Sequence, residues 1–320
     1  MNSLSKDSAS WREVDESAQN QRIDNYLQKI LKGVPKSHIY RILRSGEVRV
    51  NSGRVDASYR LQDGDKLRLP PIRTAAPKAS PLRSSAVFTG SVLLEDEDLL
   101  IVDKPSGVAV HGGSGISSGV IEQLRSARPG LRFLELAHRL DRDTSGVLVM
   151  AKKRTALTAL HAQLREGAVR KHYVALVLGE WVDAKRNVRA ALHKYVAPSG
   201  ERRVVVHDEG QQAHTVFRLI RKFQLLSLLD AELKTGRTHQ IRVHLAHIGF
   251  PIAGDDKYGD SAANKRLAKQ GLKRMFLHAA SLEFNHPRNA RPVRIEAPLA
   301  PELERFVRSL RDAGSAMKEG

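Results

Sequence analysis

The N-terminal part of the chain alternates apolar and polar residues with two different periods. A first amphipathic helix is indicated by four apolar residues at helical spacing: Ile23, Leu27, Ile30 and Leu31. A second, short helix is expected from about Ser37 to Gly46, with its apolar residues on one side. The alternating Val48 and Val50 and a final run over residues 66–69 then predict a hairpin and a strand. This region therefore predicts two helices followed by a small amount of β-structure.

Beyond residue 88 the pattern favours strands, with fewer helices between them. Short apolar runs that predict strands lie at residues 99–102, 147–150, 173–178, 217–220, 225–233 and 275–284. Helical spacing is found around residues 157–164, 238–248 and 303–310. The expected fold is therefore a mixed α+β domain organised on a largely antiparallel sheet.

A proline-rich stretch separates these two regions. Four prolines between residues 70 and 81, among Ser, Ala, Arg and Lys, form a stiff polar segment that cannot build a core. We therefore expect a flexible tail over residues 1–19, a small domain over 20–70, a linker over 71–87, a larger domain over 88–312 and a second tail over 313–320.

The charge of the chain narrows the choice of partner. It has 53 Lys and Arg against 35 Asp and Glu, a net charge of +18. Each phosphate neutralised by Lys or Arg releases condensed counterions, so nucleic acid is the expected partner. A membrane is not expected, because no apolar run approaches the ~20 residues of a spanning helix and residues 1–10 lack an apolar signal core. The expected location is the cytoplasm.

The positive charge is concentrated on the small N-terminal unit. Between Arg22 and Leu69 there are eleven Lys or Arg and five Asp or Glu. An ordinary solvated surface is one interpretation. The two-helix and hairpin unit also resembles the alpha-L RNA-binding domain, which was first named from a small-subunit ribosomal protein. That resemblance implies RNA contacts through the basic residues of the second helix and the hairpin: Lys36, His38, Arg41, Arg44 and Arg49.

The segment from His138 to Gly146 concentrates acid, base and hydrogen-bond donors just before an apolar run. Asp141 and Asp143 point to opposite faces if the backbone is extended, so at most one of them readily serves a given cleft. Asp141 is the candidate, because Leu140 beside it can anchor the loop in the core. The alternative is a turn in which these polar residues only satisfy backbone groups.

Arg237 lies in a second polar cluster, over residues 233–244, at the predicted junction of a strand and a helix. Thr235 or Thr238 can cap the helix there, and free backbone amides gather at such a junction. Metal and cofactor sites are not expected. The chain has no Cys, no phosphate-binding Gly-x-x-x-x-Gly-Lys-Ser/Thr motif, and no Glu at the position next to His244 that a zinc protease motif requires.

Together the two clusters resemble the pseudouridine synthases of the RluA family, over residues from about 88 to 310. Five ordered pieces carry the resemblance: Lys104 to Gly107, His138 to Gly146, Lys171 to Ala175, Thr235 to Gln240 and Gly254 to Gly259. The resemblance implies an isomerase that converts uridine in RNA to pseudouridine, with no cofactor and no metal.

The resemblance also implies roles for individual residues. Asp141 corresponds to the family's essential aspartate. This residue acts on the ribose or on the base at the step in which the C1′–N1 glycosidic bond breaks. Arg237 corresponds to the arginine that pairs with this aspartate, and Tyr173 to the tyrosine that stacks on the target base. Arg139 resembles the residue that enters the RNA stack when the target uridine is flipped out.

The segment around His111 departs from the His-Pro-Gly of many relatives and resembles the RluC branch, which joins a basic N-terminal domain to the synthase domain. That branch implies 23S rRNA, or a large-subunit assembly intermediate, as the partner, with no required protein partner.

The RluD branch, with other large-subunit targets, is the alternative substrate class. A non-catalytic ribosome assembly factor and a metal-dependent nuclease are the alternatives in other classes. The nuclease is disfavoured because Asp255 and Asp256 have no second acidic cluster.

Overall fold

The computed structural model describes residues 8–15, 18–31, 33–72, 87–112, 118–198 and 200–311. The chain divides into two compact units, Met1–Ser85 and Ala86–Gly320. Most of the linker expected over residues 71–87, and the tail expected over residues 313–320, lie outside the described residues.

The small unit contains the two helices and the hairpin that the sequence predicts. Its elements are β1 (Ser10–Glu13), α1 (Ile23–Ile30), α2 (Lys36–Arg44), β2 (Arg49–Val50), β3 (Gly53–Arg54) and β4 (Lys66–Leu69). The hairpin between β2 and β3 turns through Asn51 and Ser52, which both have positive φ, as tight hairpin turns require. Side chains of both helices and of β4 close one core, which includes Leu27, Ile42 and Leu67.

The prediction that residues 1–19 form a flexible tail is wrong for residues 10–13. These residues form β1, which pairs antiparallel with β4 from Ser10 opposite Leu69 to Glu13 opposite Lys66. The four strands follow the order β1-β4-β2-β3. The physical reason is that β4 would otherwise have an unpaired edge, and Val14 directly after β1 buries its side chain in the core of the small unit.

The large unit combines helices with many short strands. The helices of its described part are α3 (Val120–Ala127), α4 (Arg154–Glu166), α5 (Gln240–His247), α6 (Ser261–Lys269) and α7 (Pro301–Ser309). The strands are β5 (Val92–Glu95), β6 (Leu99–Lys104), β7 (Glu135–Leu136), β8 (Ser145–Ala151), β9 (Arg170–Leu178), β10 (Lys185–Arg189), β11 (Leu192–Val196), β12 (Arg202–Val206), β13 (His214–Lys222), β14 (Leu226–Leu233), β15 (Leu277–Asn285) and β16 (Pro292–Glu296).

A ten-stranded sheet organises the described part of the large unit. Its main path is β10-β13-β14-β9-β15-β8-β6-β5, with β16 beside β15 and β7 beside β8, while β11 and β12 form a separate hairpin. Every pair in the main sheet is antiparallel except β15 with β8. The predicted mixed, largely antiparallel α+β fold is therefore confirmed.

The central strand β8 is buried on both faces. Leu148 and Met150 enter one core cluster, whereas Val147 and Val149 enter the cluster on the opposite side, as the two-residue period of a strand requires. Gly146 begins this strand with φ +110°, and a Cβ there would lie 2.2 Å from the carbonyl oxygen of Ala279 on β15. Only glycine fits this close approach, which fixes where the segment before β8 joins the sheet.

In the part of the chain that the structure describes, every helix is too short or too polar to cross a membrane.

Candidate active site

One cleft of the large unit contains both polar clusters that the sequence analysis singled out. Its volume is about 640 Å³, and its walls come from the loop before β8, from β9, from the end of α4 and from the loop between β14 and α5. Asp141 is the single acidic residue among the described residues that line it, against six Lys or Arg: Arg139, Arg165, Lys171, Lys234, Arg237 and Arg242. The cleft is therefore suited to a polyanion that presents its reacting part to one carboxylate.

The Lys-Pro-Ser-Gly motif at the end of β6 forms hydrogen bonds with the backbone of the loop that carries Asp141. The amide of Gly107 donates to the carbonyl oxygen of Arg142 at 2.9 Å, and Ser106 Oγ donates to that of Asp143 at 2.8 Å. Leu140 is buried, as expected for an anchor in the core. Asp141 lines the cleft and Asp143 does not. The two residues lie in a turn, closed by the amide of Thr144 on the carbonyl oxygen of Asp141, rather than in the extended backbone that the prediction assumed.

Lys104 belongs to the same support and is completely buried. Its Nζ donates to the carbonyl oxygens of Pro105, Val108 and Arg142, at 2.8, 2.7 and 2.9 Å. Burial lowers the pKa of Lys104 to about 7, against the attraction of Asp143. Three backbone carbonyls thus occupy the three hydrogens of the ammonium group, which ties β6 to the residue next to Asp141.

Arg242 on α5 is the charge partner of Asp141. Its Nη1 lies 3.3 Å from Asp141 Oδ2, while Nε and Nη2 donate to the two oxygens of Asp255, at 2.7 and 2.8 Å. The side chains of Arg242 and Asp255 are 8% and 1% exposed. Burial disfavours the charge of Arg242, but the two carboxylates outweigh it and raise its pKa. Arg242 in turn keeps the pKa of Asp255 below its usual value in spite of burial.

The predicted pairing of Arg237 with Asp141 is wrong. The Nε of Arg237 donates to the carbonyl oxygen of Gln212 at 3.2 Å, and its side chain is exposed at the mouth of the cleft. The reason is local geometry, because α5 begins at Gln240 rather than at Thr238. Arg237 therefore precedes the helix, and the first turn of the helix brings Arg242 to Asp141.

Tyr173 lies in the cleft on β9, with its side chain nearly buried. Its neighbours across the sheet are Ala231 on β14 and Ala279 on β15, and these small residues leave room for the ring. Burial, and to a lesser extent the negative charge of Asp141, raises the pKa of Tyr173 well above its usual value. The phenol therefore keeps its proton and presents a neutral aromatic ring to the cleft.

His239 is a further residue at the carboxylate that the sequence analysis missed. Its Nε2 lies 3.8 Å from Asp141 Oδ2, and its Nδ1 is 2.8 Å from the hydroxyl of Tyr258. The residue has φ +53°, which turns the chain into α5. Burial lowers the pKa of His239, so a neutral imidazole sits beside the carboxylate at neutral pH.

The residues predicted to contact RNA are on the surface of both units. On the small unit, Lys36, Arg41, Arg44 and Arg49 are exposed and His38 is half-buried. Arg41 Nη2 lies 3.3 Å from His38 Nε2, and Arg41 Nη1 lies 3.8 Å from Glu47 Oε1. On the large unit, Arg139 is exposed at the cleft beside Asp141.

One cluster of potential metal ligands, Asp96, Asp98 and His286, lies outside the cleft. Its groups are engaged within the protein. His286 Nε2 is 3.0 Å from Asp96, and Asp98 forms ion pairs with Lys153 and Arg288, at 3.3 and 2.5 Å. These contacts explain the cluster as a partly buried ion-pair network.

Two parts of the chain match known families. Residues 98–247 match the family described as RNA pseudouridylate synthase, and residues 21–67 match the S4 domain. The chain belongs to the RNA pseudouridylate synthase family, so the resemblance to RluA-family synthases is confirmed. The second match is the small basic unit that the sequence analysis assigned to an RNA-binding fold.

Within that family, the chain is similar along nearly its whole length to ribosomal large subunit pseudouridine synthase C of several bacteria. It is 51% identical to the Pasteurella multocida protein, over 95% of this chain and 94% of that protein. It is 52% identical to the Escherichia coli K12 protein, over 92% and 94%. Among solved structures, human RNA pseudouridylate synthase domain containing 1 has a similar fold. Its TM-score is 0.58, at 24% identity over 69% of this chain and 89% of that one.

Proposed function

We propose that the protein converts specific uridines of 23S ribosomal RNA to pseudouridine, with Asp141 as the catalytic carboxylate. The observation that carries this proposal is the position of Asp141. Among the described residues it is the single acidic group lining an otherwise basic cleft, it is paired with a buried arginine, and it lies near a buried tyrosine.

The reaction detaches uracil from the sugar and reattaches it by another atom. The N1–C1′ bond breaks, the C5–C1′ bond forms, C5 loses a proton and N1 gains one, so no oxidant or reductant is consumed. Carbon C1′ gains positive character as its bond to N1 weakens, and an ionised carboxylate beside the sugar stabilises that charge. Asp141, which is 21% exposed, is open to such a substrate from the cleft side.

The neighbours of Asp141 have supporting roles in this proposal. Arg242 fixes the direction of the carboxylate and favours its ionised form. The neutral ring of Tyr173 stacks on the flipped uracil, and Arg139 fills the gap that the base leaves in the RNA. Arg237 binds the RNA backbone at the mouth of the cleft instead of pairing with Asp141.

The choice of substrate rests on the relatives and on the charge. The similar bacterial proteins are named for the ribosomal large subunit, and the small unit matches an S4 domain. We assign Lys36, His38, Arg41, Arg44 and Arg49 of that unit to phosphate contacts. The RNA is free 23S rRNA or a large-subunit assembly intermediate in the cytoplasm, and no second protein is required.

The test is to incubate the purified protein with unmodified 23S rRNA, without other proteins, and to map pseudouridine by carbodiimide treatment and primer extension. We expect stops at discrete uridines with the natural protein and none with Asp141→Asn, which should bind the RNA with nearly unchanged affinity. Loss of the carboxylate should raise the barrier by ~8 kcal/mol or more.

The result also separates the alternatives. Stops at other large-subunit uridines would assign the protein to RluD-type targets. Stops that persist in Asp141→Asn would refute the role of Asp141. Tight rRNA binding without stops, on both free rRNA and an assembly intermediate, would refute the synthase proposal and favour a binding factor.

A further inference from the structure

Lys171 is a cation inside the cleft to which neither the family resemblance nor the mechanism above gives a role. It lies on β9 two residues before Tyr173, so the two side chains leave the same face of the strand. Both residues line the cleft that contains Asp141. Lys171 therefore lies close to the position of any base that is placed against Tyr173.

The ammonium group of Lys171 has no counter-charge within the described ranges. No ion pair and no hydrogen bond joins it to another described residue, whereas Lys234 in the same cleft pairs with Glu232 and Arg242 pairs with two carboxylates. Lys171 is half-buried, and burial lowers its pKa. A partly desolvated cation without an anion is unfavourable, and a bound anion would remove this cost.

The surroundings of Lys171 fit a phosphate group. A Cβ at Gly236 would lie 3.8 Å from Lys171 Nζ, so the missing side chain keeps the space above the ammonium open. Arg237 follows directly and is exposed at the same mouth, with one Nε hydrogen bond to Gln212. The described lining of the cleft offers no second carboxylate that could repel a phosphate, and Asp141 is held by Arg242.

We propose that Lys171 and Arg237 form a phosphate-binding subsite that holds one phosphodiester of the RNA next to the flipped uridine. Lys171 is then a positioning residue that sets the distance between the backbone and Asp141. The inference rests on the proposed function for the identity of the polyanion.

The first experiment compares Lys171→Met, Lys171→Arg and the control Lys269→Met, which removes the same charge from the end of α6, outside the cleft. The substrate is 23S rRNA transcribed with [5-³H]uridine, because formation of the C5–C1′ bond releases the C5 hydrogen. For Lys171→Met we expect KM to rise by about 10- to 100-fold, the effect of one charge-assisted hydrogen bond. We expect kcat to change by less than about threefold, since the chemical groups are intact.

Two further readouts separate a phosphate contact from a packing role. The slope of log(kcat/KM) against log[salt] should become shallower by about 0.7 to 0.9 for Lys171→Met. Lys171→Arg should recover most of the lost affinity, whereas Lys269→Met should leave both KM and slope unchanged. A loss in kcat alone, or an unchanged salt slope with a normal melting temperature, would overturn the proposal.

The second experiment finds the phosphate. A short RNA around the mapped uridine is made with a neutral methylphosphonate at one backbone position at a time. At one position we expect the methylphosphonate to weaken the affinity of the natural protein for the RNA by at least tenfold. The same substitution should not weaken the affinity of Lys171→Met any further. If the loss of affinity from the methylphosphonate added to the loss from Lys171→Met at every position, the proposed subsite would be refuted.

The same RNAs are also measured by fluorescence anisotropy, which needs no turnover. If the natural protein releases no tritium, the proposed function fails. Binding of 23S rRNA, measured in the same way, then still decides the subsite, because Lys171→Met must show the shallower salt slope.

Discussion

Replacing Arg242 by lysine tests the identity of the arginine that holds the catalytic carboxylate. Arg242 makes three contacts, with Asp255 at 2.7 and 2.8 Å and with Asp141 at 3.3 Å. A lysine keeps the positive charge, but as a compact point charge on one stem it reaches one carboxylate at a time. The more deeply buried Asp255 is the stronger competitor, so we expect the substituted lysine to lose its contact with Asp141.

The magnitudes follow from the contacts that are lost. One charge-assisted hydrogen bond is worth ~1.5–3 kcal/mol, which corresponds to a fall in kcat of about 10- to 150-fold at saturating RNA. The free energy of unfolding should fall by ~2–4 kcal/mol, somewhat less than the ~3–5 kcal/mol expected when one partner of a buried pair is removed entirely. Tritium release measures the first quantity, and urea unfolding measures the second.

The matched control is Arg237→Lys. Its guanidinium contacts a backbone carbonyl oxygen and, in the proposed subsite, a phosphate, but not Asp141. We therefore expect any loss to appear in KM, with kcat at saturating RNA within about threefold of the natural value and stability within ~0.5 kcal/mol. The reasoning would be refuted if Arg237→Lys lost kcat while Arg242→Lys kept it, which would restore the pairing expected from the sequence.

Two other predictions concern the units and pH. Deleting residues 1–85 should weaken binding to 23S rRNA and reduce the salt dependence of that binding. Turnover of short RNA should remain, because the small unit has its own core and the cleft lies in the other unit. An unchanged salt slope in a filter-binding assay would contradict this prediction. Burial lowers the pKa of His138 to about 4, so the unfolded chain binds the proton first and stability should fall as pH drops from ~6.5 to ~4. His138→Gln should flatten that part of the urea-unfolding profile by at most ~3 kcal/mol, and an identical pH profile would contradict the assignment.

The elements with strong periodicity were predictable from the sequence. Helix α1 and strand β4 lie where their apolar spacing placed them, and so do the buried strands β8 and β9. Elements with weak local signals were missed. β1 has exposed side chains along most of its length, and its stability comes from backbone pairing with a strand more than fifty residues away. Such long-range pairing leaves no trace in local spacing.

The site shows the same division between local and distant information. The loop with Asp141 was identifiable because acid, base and anchor residues are adjacent in sequence. The partner of Asp141 was not, because the choice between Arg237 and Arg242 depends on where α5 starts. A signal was available, however. Arg242 is three residues before the apolar Leu245, so helical spacing places this arginine on the same side of the helix as an apolar residue.

The two hydrogen bonds between Arg242 and Asp255 determine when the arginine side chain becomes ordered. A free arginine side chain loses ~2 kcal/mol of rotamer entropy when it is fixed. Here two hydrogen bonds that the guanidinium donates to a nearly fully buried carboxylate fix it during folding, before any RNA arrives. The entropic cost is therefore incurred once in the lifetime of the molecule, and the arginine needs no reordering when each new uridine enters the cleft.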